Sequence, residues 1–266
     1  MSSANVPSTS TLTSQMLNKV PIVTLTFWIV KILSTTVGET AADYLAVDIG
    51  IGKLTTDLIT LALLIGALLL QLRARTYVPW RYWLVVVLLS IVGTQITDAL
   101  TDSLGIDLWF STGVFTVVLI GIFLVWHASE GTLSIQSITT RRREYFYWAA
   151  ILFTFALGTA AGDLATEALG LGFTVGVGVF AGLIAAIAVA HKLGTATVPS
   201  FWLAYILTRP LGASLGDLLA QAKTYGGLGL GTVMTSAVFL LVIVALVSHM
   251  TLLHRREAIT SGSRSV

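Results

Sequence analysis

Cysteine is absent, charge is scarce and proline is rare: the 266 residues hold no Cys, 5 Pro and only 11% charged side chains. A soluble domain carries roughly 25% charge. Without cysteine there are no disulfides, thiolate metal sites or thiol redox chemistry, and the compartment is left open. A net charge of +2 gives no footing for nucleic-acid binding. The four histidines, His127, His191, His249 and His254, fall at the ends of apolar stretches, which disfavours zinc or copper. Neither a zinc-ligand His pair nor a convincing Ser–Lys dyad is present, so we expect no enzyme and no prosthetic group.

What fills the chain is apolar, at 55%. A helix crosses a bilayer in about 20 such residues. Eight stretches qualify, roughly 21–45, 54–72, 81–102, 108–127, 145–168, 172–191, 199–221 and 230–252. The expected fold class is therefore an all-α membrane protein with eight transmembrane helices. Residues 1–20 and 257–266 read as polar tails, and the first lacks the features of a cleaved signal peptide.

One frame recurs four times. Phe27-Trp28 is followed after nine residues by Gly38 and four later by Asp43; Tyr82-Trp83, Gly93 and Asp98 repeat it, as do Tyr147-Trp148, Gly158 and Asp163, and Phe201-Trp202, Gly212 and Asp217. Each motif stretch precedes a plainer one, so the repeating unit reads as a helical hairpin, spanning about 21–72, 81–127, 145–191 and 199–252. The motif tryptophans lie 55, 65 and 54 residues apart, and the longer middle gap marks a join between two halves. Arg73, Arg75, Arg81, Arg141, Arg142, Arg143, Lys192, Arg255 and Arg256 lie on one side of the helices, against Lys53 and Lys223 on the other. Both termini are therefore expected in the cytoplasm. All four hairpins would point the same way, with a pseudo-symmetry axis along the membrane normal.

The aromatic-Trp pairs read as headgroup-level anchors. At about 1.5 Å per residue, each Gly then lies about 15 Å deep and each Asp about 22 Å. The glycines permit close helix packing. An Asp in a membrane helix costs roughly 2.5–3.5 kcal/mol, so four at one depth suggest an interior cavity, the alternative being outer-interface residues. Hydroxyl and amide side chains share the Asp faces: Thr36 and Thr40, Thr94 and Gln95, Thr159, and Ser214. Oxygen donors of this kind suit hard divalent cations. Glu39, one turn before Asp43, makes a metal- or proton-binding pair, or a salt bridge to Lys31 or Arg209. Lys31 either snorkels to the interface or supplies counter-charge. Arg209, followed by a helix-kinking Pro210, reads as a fixed counter-charge to the acids.

The first copy, Lys31-Ile-Leu-Ser-Thr-Thr-Val-Gly-Glu-Thr-Ala-Ala-Asp43, resembles a bacterial family of multi-spanning membrane proteins labelled as a repeat of unknown function or as uncharacterised membrane-anchored proteins. The resemblance runs from about Pro21 to about Arg256. It implies the repeat architecture and a place in the bacterial cytoplasmic membrane, and no particular activity. A looser likeness is to cation transporters whose paired repeats present Gly and acidic residues in midmembrane helices.

Three functions fit these residues. The first is a secondary transporter of a divalent cation, Mn²⁺ favoured, exporting it against protons, with Glu39, Asp43, Asp98, Asp163 and Asp217 as metal or proton sites. The second is a proton-coupled carrier of a small organic or cationic solute. The third is a membrane scaffold or sensor in which the charges lock helices together. The expected partners are the lipid bilayer, the metal ion and protons, with a homo-oligomer as a further option.

Overall fold

The computed structural model describes residues 18–47 and 52–263. The polar tail through residue 17 lies outside the described residues. Eight long helices follow in order: α1 (Leu25–Val47), α2 (Lys53–Leu72), α3 (Pro79–Asp98), α4 (Leu108–Glu130), α5 (Arg141–Asp163), α6 (Gly172–Lys192), α7 (Thr197–Ala220) and α8 (Thr232–Ser263). No strand occurs among the described residues. α8 outruns its expected end and takes in most of the polar C-terminal stretch.

Local chemistry sets the ends. Pro79 opens α3, where its missing N–H is no loss. Asp107 caps α4 by accepting a bond from the Trp109 N–H at 2.8 Å. Gly131, at φ 72°, ends α4 in the left-handed conformation. α3 and α5 continue past their aspartates as single π-helical turns, Ala99–Ser103 and Leu164–Ala168. α7 runs unbroken through Pro210.

Six of the eight helices are long and apolar enough to cross a membrane. The two that fall short are α1, with Lys31, Glu39 and Asp43, and α7, with Arg209 and Asp217. Packing explains how such helices are tolerated. The motif helices form a closed inner ring in which α1 packs on α3, α3 on α5, α5 on α7 and α7 on α1. The plainer helices lie outside, with apolar side chains such as Leu58, Leu63, Val117, Leu124 and Leu241 exposed. A surface this apolar is that of a membrane protein. The hairpin reading needs one correction. α2 packs chiefly on α3 rather than on α1, α4 on α5 and α6 on α7, and α8 closes the circle onto α1. Each outer helix thus covers the motif helix of the following repeat.

Lys19, expected in a polar tail, is 6% exposed, and its Nζ donates to Glu144 at 2.6 Å. Gln71 donates to the same carboxylate at 3.4 Å. The Lys19 N–H bonds to the Ile138 carbonyl, and the Asn18 carbonyl accepts from the Tyr77 N–H. The strand of chain before α1 therefore ties the α2–α3 and α4–α5 connections together. Replacing Lys19 by Met strands a buried carboxylate and should cost about 3–5 kcal/mol, seen as a lowered melting temperature in detergent. Adding Glu144→Leu should recover much of that loss.

Candidate functional site

The ring closes because each motif glycine receives the same position of the next helix. A Cβ on Gly93 would stand 2.6 Å from the Phe155 Cβ, and one on Gly158 would stand 2.5 Å from the Arg209 Cβ. Gly38 abuts Ser90, and Gly212 abuts Thr35. In every case the partner lies three residues before its own motif glycine. Gly93→Ala must push α3 from α5, because the Ala156 backbone N lies at 3.3 Å behind Phe155. It should cost about 1–3 kcal/mol in thermal stability. Gly113→Ala on α4, where nothing lies within 4 Å, should cost nothing.

The aromatic pairs are not headgroup anchors. Phe27, Tyr82, Tyr147 and Phe201 are buried, as are Trp83, Trp148 and Trp202. Each first aromatic meets the tryptophan of the next repeat: Phe27 with Trp83 at 5.6 Å, Tyr82 with Trp148 at 5.5 Å, Tyr147 with Trp202 at 6.3 Å, and Phe201 with Trp28 at 5.6 Å. The Tyr82 and Tyr147 hydroxyls share a hydrogen bond of 2.5 Å. Apolar faces that would have met headgroups instead pack on one another, and this end of the ring is plugged.

Beyond the plug lie the two interior cations. Lys31 does not snorkel and is not paired with Glu39. It is 1% exposed, and its Nζ lies 4.1 Å from the Phe155 ring centre and 4.3 Å from that of Tyr205. Arg209 takes Glu39 instead. Its Nη2 donates to the Glu39 Oε2 at 2.6 Å and to the Thr94 hydroxyl, and its Nη1 donates to the Thr35 carbonyl at 3.1 Å. Thr94 also donates to Glu39, at 3.4 Å. Glu39 is thereby a structural partner of Arg209 as well as an acid.

The four aspartates lie at one end of the ring, each near enough to Glu39 for the two charges to interact. Asp43 and Asp217 act on each other, as do Asp163 with Asp98 and Asp217. Glu167 and Asp102 add negative charge at the same end, and Lys53 faces Asp98. Asp217 is buried and the other three are half-buried. Among the described residues none of the four carboxylates accepts a hydrogen bond, and no three acidic or histidine side chains converge closely enough to hold a metal ion. All four histidines are exposed.

The neutral oxygens divide. Thr94 joins the Arg209–Glu39 group. Thr36 and Thr159 bond to carbonyls of their own helices, at 3.1 and 3.0 Å. The next register points outward: Thr40 meets Ser236 on α8 at 2.6 Å, Gln95 donates to Thr60 on α2 at 3.5 Å, and Ser214 lies against Gly176 on α6. Thr40 and Gln95 thus bond to outer helices, and Ser214 packs against one with its hydroxyl unpartnered. Residue spacing treats positions three and four before the Asp as one face, whereas the ring sends one inward and the other outward. Phe155, Tyr205, Gln71 and Glu144 carried no sequence signal, because nothing local separates them from ordinary core or loop residues.

A family model described as Repeat of Unknown Function (DUF347) matches the chain at residues 26–77, 81–132, 146–196 and 200–256. The chain belongs to that family. No curated protein and no solved structure matches it.

Proposed function

We propose that this four-repeat member of the family is a secondary transporter of a divalent cation, with Mn²⁺ the first candidate and proton exchange as the drive. One observation carries the reading. Four equivalent aspartates, one at the same position of each ring helix, stand buried or half-buried, and among the described residues none accepts a hydrogen bond. Intramembrane acids of this kind mark ion pathways. Unpartnered carboxylates are costly unless water, protons or cations reach them. The aromatic plug and Arg209 would close the opposite end, as one half of an alternating-access cycle requires.

The repeating glycine contacts favour a pseudo-fourfold axis along the membrane normal. The basic connections lie at the plug end and favour a cytoplasmic plug, cytoplasmic termini and a chamber opening to the far side of a bacterial inner membrane. Because the carboxylates do not converge into a chelating set, a hard cation here would keep part of its water shell. The same spread favours a second reading, a proton-coupled carrier of a small organic cation.

The test is flux into liposomes holding the purified protein and an internal metal-sensitive dye. Mn²⁺ should cross under a pH gradient, faster than Mg²⁺ or Ca²⁺. Tight vesicles that pass none of the three, under gradients of either sign, would end the metal reading. Movement of an organic cation instead would establish the second.

A further inference from the structure

The acidic chamber makes no use of Lys31. This residue stands seven positions before Gly38, where the other repeats place Val86, Ile151 and Tyr205, all fully buried. Its Nζ has three donor positions and no hydrogen-bond partner. Its nearest company is the faces of Phe155 and Tyr205. Glu39, the carboxylate of this region, is taken by Arg209 and Thr94. The other ionisable groups brought here are Arg209 and Tyr205 from α7, while Tyr82 from α3 and Tyr147 from α5 bond to each other in the plug. Those of α8, His249, His254, Arg255 and Arg256, are exposed. Aromatic faces accommodate an ammonium, and a layer of Val, Ile and ring carbons accommodates an amine. The side chain therefore has two tenable states in one place, whereas the guanidinium of Arg209 cannot give up its proton.

We propose that Lys31 is the coupling-proton site of the transporter, a role that rests on the transport reading above. With the plug open to the basic side, a hydronium ion gives its proton to the Nζ lone pair and leaves as water, forming an ammonium. With the plug closed and the site open toward the acids, a water on that side takes the proton back as hydronium, the N–H electron pair staying on nitrogen. Arg209 lies between Lys31 and the acids. An ammonium beside that fixed cation and a metal ion among the aspartates repel through the same axis, so loading one site empties the other. That mutual exclusion is what exchange requires.

Two measurements test it, and they fail separately from the transport reading. In liposomes, Lys31→Arg keeps a charge that cannot leave and Lys31→Met keeps none. Both should lose at least tenfold of the pH-driven Mn²⁺ flux, yet retain Mn²⁺-for-Mn²⁺ exchange at equal pH. Wild-type pH-driven flux in Lys31→Arg overturns the proposal. In detergent, ¹⁵N-lysine NMR resolves only five lysines, and the Nζ resonance missing from Lys31→Met belongs to this site. It should change protonation state within the pH range over which the protein stays folded. A single protonation state across that range overturns the proposal, even if Mn²⁺ is carried. A titrating Nζ in a protein that moves no cation keeps the proton site and sinks the transport reading alone.

Discussion

Arg209→Met will be the most damaging single substitution in the inner ring. Arg209 is fully buried and supplies donors to Glu39, Thr94 and the Thr35 carbonyl. Its removal leaves the Glu39 carboxylate inside the bundle with only the Thr94 hydroxyl at 3.4 Å. Losing one partner of a buried pair costs about 3–5 kcal/mol. The thermal transition in detergent should fall accordingly. Adding Glu39→Leu should restore much of the stability, because the stranded charge is then gone, but should not restore transport. The double-mutant cycle separates the two roles of Glu39. If Arg209→Met is as stable as wild type, the pair does not hold the ring together. If the double variant transports normally, Glu39 has no part in the chamber.

The four aspartates should show the reverse pattern. Exchanging Asp43, Asp98, Asp163 and Asp217 together for Asn removes the chamber's charge without removing a protein hydrogen bond, so stability should hold or rise. Flux should collapse. At an effective dielectric of about 20, a carboxylate several ångströms away attracts a unit cation by about 2 kcal/mol, which corresponds to about thirtyfold in occupancy for each acid lost. Asp217, the buried member, should give the largest single effect. Flux in proteoliposomes and melting in detergent, measured on the same preparations, check both halves. Wild-type flux in the quadruple variant removes the basis for the proposed function.

The helices are legible from the sequence in number and, the far end of α8 apart, in length, because about twenty apolar residues bounded by Gly, Pro and charge leave few other structures in an apolar setting. The repeat frame was legible too. The meaning of the aromatic pairs was not: Tyr82 and Trp83 have the composition of an interfacial belt, and only their neighbours, Tyr147 and Trp148, show that they plug a ring. Lys31 followed the same course. Three residues beyond Trp28, snorkelling is the simple expectation for a lysine, but the route to the surface is closed by rings from two other repeats.

The sequence alone determined that four equivalent helices each carry a close-packing glycine and, five residues on, an acid, since both facts are spacings along one chain. Tertiary structure alone decided that each outer helix covers the next repeat's motif helix, that Glu39 answers to Arg209 rather than to Lys31, and that Thr40, Gln95 and Ser214 meet outer helices. The physical reason is rotational. Sequence spacing fixes a side chain's height on its own helix, but the direction it faces around a common axis is set by which helices press against it, and those lie far away along the chain.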